Sequence, residues 1–258
     1  RYFVAALFLL AVVFIQGRRC RTDPRDRVAL VLLALVFFAA FPCCFATALQ
    51  DTTSARGALI YACMPLLTVG LVATFRIERI TTWKLLGVVF AIAGVWSAIG
   101  FDVDAPPDAI RGDVVMMFAT AFTAIYTVFA KRYVMKYDGV AMTAWSMLLG
   151  SAVLFVFALI FGQPLSGSLD LSPQGWGAFI FLAAPGGALM MWCFIKGFRM
   201  VTPVQAAVSV GCNPLTAILF GAWIMGEEIG MGSILGFILI MLALICANRK
   251  GAAENRLP

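Results

Sequence analysis

Apolar residues fill nine long runs along the chain, roughly 2–16, 28–50, 55–75, 81–99, 112–135, 139–161, 175–197, 202–224 and 229–247. Most approach the ~20 residues that a helix needs to cross the hydrocarbon core of a bilayer. The intervening pieces are short and carry helix breakers, as in Asp104-Ala105-Pro106-Pro107-Asp108 and Gln163-Pro164-Leu165-Ser166-Gly167. There proline removes a backbone donor and glycine loosens the chain. Connections this short predict antiparallel neighbours. The first run is short and opens directly at Arg1, with no small-residue cleavage site after it, so it reads as a truncated helix and not as a signal peptide.

The pattern repeats. Pro65, Glu78 and Gly87 recur 149 positions later as Pro214, Glu227 and Gly236, with both spacings kept. The same offset pairs Cys44 with Cys193, Phe45 with Phe194, Thr53 with Thr202, Ala58 with Ala207 and Cys63 with Cys212, without a gap. Lone matches between apolar helices mean little, but a shared Pro and Glu in one frame signals an internal duplication.

Charge then orients the runs. If successive connections alternate sides, 16 of the 19 Lys and Arg residues fall on one side, in clusters around Arg18 to Arg27, Arg76 to Lys84, Lys131 to Lys136, Lys196 with Arg199, and Arg249 to Arg256. Only Arg1, Arg56 and Arg111 fall on the other. The positive-inside rule makes the first side cytoplasmic, and the C-terminus with it. Glu78 then ends a helix inside and Glu227 ends one outside, so the two copies are upside down relative to each other. Inverted repeats of this kind frame a midplane site and support alternating access. A five-plus-five plan requires one helix before Arg1. The expected fold class is therefore an all-α polytopic membrane protein built from inverted five-helix repeats, ten helices in plan with nine present. Residues 1–99 form the first repeat without its first helix, 112–247 the second, and 248–258 a cytoplasmic tail.

Composition removes other classes. The chain is 62% hydrophobic and 12% charged, against about 45–50% and 25% in a soluble domain. Most of that apolar surface must face lipid. The seven Cys lie mainly in apolar runs without metal-ligand spacing, and His is absent. No metal, cofactor or catalytic cluster is indicated, so an enzyme is not expected. Basic residues do not interleave with aromatics, which leaves no support for nucleic-acid binding.

At this point the residues resemble a known family. Met64-Pro65-Leu66-Leu67-Thr68 with Glu78 and Leu86-Gly87, and Asn213-Pro214-Leu215-Thr216 with Gly226-Glu227 and Leu235-Gly236, are similar to the repeated motifs of EamA-type transporters in the drug/metabolite transporter superfamily. The opening Arg1-Tyr2-Phe3-Val4-Ala5-Ala6-Leu7 resembles the second helix of that family. Arg79, where an apolar residue is usual, and the absent first helix are departures. The resemblance implies ten helices, a central cavity, and export or exchange of small metabolites, often amino acids, in a bacterial inner membrane.

Candidate chemistry lies in polar stripes. Gln205, Ser209, Asn213 and Thr216 fall on one helical face, and Thr120, Thr123, Thr127 and Lys131 on another. A lipid-facing amide is costly, so Asn213 and Gln205 should meet protein or water; the hydroxyls also suit bonding to their own helix backbone or to a neighbouring helix. Tyr61 and Thr68 lie near Pro65 in the equivalent place. Tyr126, Trp145 and Trp192 sit within runs and suit either a pocket wall or lipid contact, whereas Trp83 and Trp176 sit at run ends as interfacial anchors. The expected substrate cavity comprises Asn213, Gln205, Ser209, Thr216, Tyr61, Thr68, Thr123, Tyr126, Thr127 and Trp192. Helix breaks or hinges are expected at Pro65, Pro214, Pro185 and Gly186, and structural roles at Glu78, Glu227, Gly87 and Gly236. Gly232 and Gly236 suit internal packing, and a monomer is expected. No acid or base is placed at mid-membrane, which favours gradient-driven passage of neutral or zwitterionic cargo over proton antiport or phosphorylated cargo. A nucleotide-sugar or organophosphate exchanger of the same superfamily, and a membrane scaffold without transport, are the alternatives.

Overall fold

A computed structural model describes residues 1–17, 22–99, 109–161, 172–213, 216 and 231–249. Among these residues all regular structure is helical. The elements are α1 (Tyr2–Ile15), α2 (Pro24–Leu35), a π-helical turn (Val36–Ala40), α3 (Phe41–Asp51), α4 (Ser54–Tyr61), α5 (Met64–Thr74), α6 (Thr82–Ile99), α7 (Ala109–Lys136) and α8 (Gly139–Phe161). They continue with α9 (Pro173–Ala183), a second π-helical turn (Ala184–Leu189), α10 (Met190–Phe198), α11 (Pro203–Ser209) and α12 (Met231–Asn248). Among the described residues, five helical stretches are long and apolar enough to cross a membrane: Pro24–Asp51, Arg56–Thr74, Ala109–Lys136, Gly139–Ile160 and Pro173–Phe198. Three shorter apolar helices accompany them, Tyr2–Ile15, Thr82–Ser97 and Ile234–Asn248. With the segment that starts at α11, they account for the nine apolar runs.

Local chemistry starts the helices where the sequence changes character. Asp23 caps α2 by accepting from the Arg25 N–H, and Ser172 caps α9 by accepting from the Gly175 N–H; proline follows each cap at the first helical position. Thr53 caps α4 through the Arg56 N–H, and Thr202 caps α11 through the Gln205 N–H. Each cap satisfies an amide that has no carbonyl one turn earlier, and a proline at the first position loses nothing because its N–H would be unpaired anyway.

These features obey the 149-residue offset. The two cap pairs are 23/172 and 53/202, and α6 and α12 are displaced by that offset at both ends. The π turn at Val36–Ala40 corresponds to 185–189, inside the second π turn. In the first of these turns the Phe41 N–H reaches back five residues to the Val36 carbonyl, one position before Pro42, which has no N–H to give. In the second, Pro185 and Gly186 lie inside the wider turn itself. The run 55–75 is broken at Ala62 and Cys63, with Pro65 at the start of α5. A similar break, one residue short of that offset, lies at Val210 and Gly211, after α11.

The helices gather into two compact units that do not follow chain order. One combines Arg1–Cys43 with Phe129–Met200, and the other combines Cys44–Val128 with Val201–Pro258. In the first unit α1 and α2 pack on α8, and both π turns find a helix to press on. Phe38 lies directly over Gly150 of α8, and a Cβ on Gly187 would stand 2.9 Å from the Ala5 side chain in α1. Phe38 is fully buried and makes an edge contact with Tyr2, at 5.7 Å between ring centres.

In the second unit α6 and α12 pack along their length. A Cβ on Gly87 would lie 2.9 Å from the Ala243 carbonyl oxygen and 3.1 Å from the Ala247 nitrogen; one on Gly94 would lie 3.0 Å from the Gly236 carbonyl oxygen. Ser97 bonds the Gly232 carbonyl at 3.2 Å. As the position on α6 rises its partner on α12 falls, so the two offset-related helices run antiparallel. Val88, Ala91 and Val95 on one side and Ile240, Ala243 and Ala247 on the other are at most 2% exposed. Glycine matters here because nothing larger permits this backbone approach.

Candidate functional site

The second unit holds nearly all of the candidate cavity residues. Met64, Ala124 and Ala207 form one buried cluster, with Leu67, Leu71 and Val210 packed against it. That contact brings together α5, α7 and α11, the elements that carry Thr68, then Thr123, Tyr126 and Thr127, then Gln205 and Ser209. Thr68, Thr120, Thr123 and Thr127 are buried to 4% exposure or less, as is Tyr126 at 3%. Thr68, Thr120 and Thr123 donate to the carbonyls of Met64, Met116 and Ala119, one turn back in their own helices, at 2.9, 2.8 and 3.1 Å. Such bonds satisfy a hydroxyl in an apolar setting and tend to bend the helix. Tyr61 is partly exposed at the end of α4, its ring edge-on to Phe45 at 6.3 Å.

The stripe that begins on α11 divides into two. Gln205 is engaged by the fold: its Oε1 accepts from the Thr202 N–H at 2.8 Å, completing a capping box, and its Nε2 donates to the Ala247 carbonyl at 3.1 Å. Capping ranks above solvation here because it satisfies two orphaned amides reciprocally. Ser209, Asn213 and Thr216 are exposed, whereas Ala206, Ala207 and Val208 are buried. The Ser209 and Thr216 hydroxyls bond the Ala206 and Asn213 carbonyls at 2.7 and 2.8 Å. Among the described residues, the Asn213 side-chain amide makes no hydrogen bond.

Trp192 lies in the other unit, half-buried, with the Lys196 ammonium 5.5 Å from its ring centre. Trp145 is also in that unit and is 47% exposed. Pro214 and Glu227 fall outside the described residues. Gly87 and Gly236 take part in the close packing of α6 on α12.

Glu78, expected to end a helix in a structural role, has its carboxylate buried there. Both of its carboxylate oxygens are shut off from solvent, in the connection between α5 and α6. Lys84 Nζ is 3.9 Å away and donates to the Arg79 carbonyl at 3.3 Å, and Lys84 is only 3% exposed. A buried base therefore exists where the sequence reading found none. It stands in the first turn of α6, and Glu78 balances its charge. The connection is held by Arg76, the one described non-glycine residue with positive φ, at 52°. The Ile77 N–H reaches back to the Val72 carbonyl at 3.1 Å, closing the end of α5.

Sequence reasoning also missed two polar clusters. In the second unit Asp113 of α7 accepts from Thr52 Oγ1 at 2.8 Å and pairs with Arg56 of α4. In the first, Asp26 of α2 accepts from Lys136 Nζ and Tyr137 Oη, each at 2.6 Å, while Tyr137 Oη also takes the Asp23 N–H at 3.2 Å. Opposite charges at run ends were visible in the sequence, but partners 57 and 110 residues apart carry no local signal.

The sequence profile of the EamA-like transporter family matches residues 1–100 and again 110–249. The chain belongs to the EamA-like transporter family. It is thus a multi-pass integral membrane protein and a transporter of the drug/metabolite superfamily, which is not a family of enzymes. The EamA-like chain is 24% identical over 248 residues to the uncharacterized transporter YyaM of Bacillus subtilis, covering 95% of this chain and 80% of the relative. It is 30% identical to the uncharacterized transporter YwfM of the same organism, covering 84% and 72%. The uncharacterized inner membrane transporter YedA of Escherichia coli is 25% identical, with 95% and 78% covered. A solved crystal structure shares the fold, with a TM-score of 0.81 at 17% identity, over 96% of this chain and 84% of that one.

Proposed function

We propose that this transporter moves small neutral or zwitterionic metabolites, amino acids foremost, outward across a bacterial inner membrane. Two inverted five-helix repeats work by alternating access, the C-terminus is cytoplasmic, and the working unit is a monomer. The observation that carries the reading is the exposed side-chain amide of Asn213, unbonded among the described residues, in the apolar run 202–224. An amide left facing hydrocarbon costs several kcal/mol (roughly 2–7), so its surroundings are water or a polar solute. Asn213 carries both a donor and an acceptor, and so suits the amino and carboxyl groups of a zwitterion. Within the second unit Ser209, Thr216, Thr68, Thr123, Thr127, Tyr61 and Tyr126 complete the proposed lining, and Gln205 holds the helix start beneath it. The two π turns and the breaks before Pro65 and Pro214 supply the bends that such a movement uses.

The antiparallel run of α6 and α12 and the recurrence of caps and π turns at one offset support the inverted-repeat reading. Neutral cargo is supported by charge placement: the buried base, Lys84, is matched by Glu78 at a helix end. In proteoliposomes, Asn213→Leu is expected to lower amino-acid counterflow at least tenfold while leaving the melting temperature unchanged. Unaltered counterflow in that variant rules Asn213 out of the site. Flux driven by a solute gradient with pH clamped is expected to persist; strict dependence on a proton gradient overturns the facilitated mechanism.

A further inference from the structure

The first compact unit carries a groove lined by none of the residues proposed above for the cargo site. It lies between α2 and α8 and has a volume of about 300 Å³. Leu30, Val31, Trp145 and Leu149 supply apolar walls, and Thr22 and Arg27 lie at one end. The groove is open to the surroundings, since Val31, Trp145 and Leu149 remain 43%, 47% and 37% exposed. In a multi-pass membrane protein those surroundings are lipid.

The polar end is cationic and uncompensated. Arg27 has no ion-pair partner among the described residues. Of the acids beside it, Asp26 is taken by Lys136 and Tyr137, and Asp23 caps α2. Arg27 also belongs to the richest cationic stretch of the chain, five arginines between positions 18 and 27. From Arg27 to Ala34 the α2 axis advances about 10 Å, so the groove runs from the interfacial level into acyl-chain depth. Trp145 stands on α8 two turns from its start, within the apolar run, and lines the apolar part of the groove. A guanidinium at one end of an apolar trough matches a molecule with a phosphate head and a hydrocarbon tail.

We infer that this groove binds one anionic phospholipid, its phosphate on Arg27 and Thr22 and the upper part of one acyl chain between α2 and α8. The inference rests on membrane insertion and not on the cargo proposed above. A bound lipid here would brace α2, which leads into the first π turn, against α8.

The test is native mass spectrometry of the full chain, released from neutral detergent after titration with phosphatidylglycerol or phosphatidylcholine of identical acyl chains. The wild type is expected to retain one phosphatidylglycerol in preference to phosphatidylcholine. Arg27→Gln should weaken that retention about fivefold, the effect of one basic residue at a lipid surface. Arg25→Gln removes the same charge outside the groove and should leave it unchanged. Ser146→Trp fills the groove without altering charge and should reduce retention of both lipids; its melting temperature reports whether the variant is folded, and Arg27→Gln decides the matter if it is not. Equal retention of the two lipids overturns the inference, as does equal loss in Arg25→Gln and Arg27→Gln, or a dimer that displaces the lipid. None of these outcomes bears on the Asn213 counterflow assay.

Discussion

Gly87→Ala tests the packing of α6 on α12 with a single methyl group. The added Cβ would stand 2.9 Å from the Ala243 carbonyl oxygen, 3.1 Å from the Ala247 nitrogen and 3.2 Å from the Ala247 Cβ. Ordinary contact begins near 3.4 Å, so the closest approach is short by 0.5 Å. Two of the three obstacles are backbone atoms, and no rotamer change removes them. The helices must part by about half an ångström, which forfeits roughly a quarter of the dispersion energy along the seam. Overpacking of this kind costs about 1–3 kcal/mol. The same substitution also gains up to about 1 kcal/mol of helix propensity, so a control is needed that gains it without the clash. Gly70 supplies one, because a Cβ there meets nothing within 4 Å. Thermal unfolding in detergent, followed by tryptophan fluorescence, should place Gly87→Ala about 2 to 12 °C below Gly70→Ala, at about 2–4 °C per kcal/mol. Indistinguishable melting of the two variants would refute the close backbone approach.

Four further outcomes are expected. Lys84→Met should destabilise by about 3 kcal/mol by leaving the buried Glu78 carboxylate poorly compensated, and adding Glu78→Gln should recover part of the loss in a double-mutant cycle; strict additivity would mean the two do not interact. Thr53→Ala and Thr202→Ala should each cost about 1 kcal/mol as lost caps, with the larger effect at Thr202, where the capping box also releases Gln205; a neutral Thr202→Ala in a melting assay would count against it. Arg76→Gly should stabilise by about 1 kcal/mol by relieving a left-handed backbone, read as a higher unfolding midpoint. Asp113→Asn should lower the melting temperature more than Asp51→Asn, since Asp113 accepts from both Thr52 and Arg56, whereas Asp51 meets the highly exposed Arg111 at 3.5 Å.

The run lengths and the 149-residue offset were legible in the sequence because each rests on periodicity and composition, which are local or additive quantities, and the family was legible as a resemblance carried by the repeated Pro, Glu and Gly motifs. A helix must satisfy its own backbone in lipid whatever surrounds it, so apolar length alone announces a crossing. The pairing of Thr53 with Thr202 was visible as letters, and the fold gave both the same capping task. Other decisions needed the third dimension. Gln205 and Asn213 share one stripe on the helix, but Ala247 comes within reach of Gln205 alone, so one amide is engaged and the other stays open. The sequence placed Glu78 at a helix end and Lys84 in a basic cluster; that the Glu78 carboxylate and Lys84 are both buried and face each other is decided by the turn at Arg76. The π turns left only a proline beside or inside an apolar run as their trace, and the partners that accommodate them, Gly150 and Ala5, are set by packing between helices distant in sequence. Periodicity assigns a residue to a face; what that face meets depends on tertiary contacts outside its own helix, and side-chain chemistry follows the neighbour.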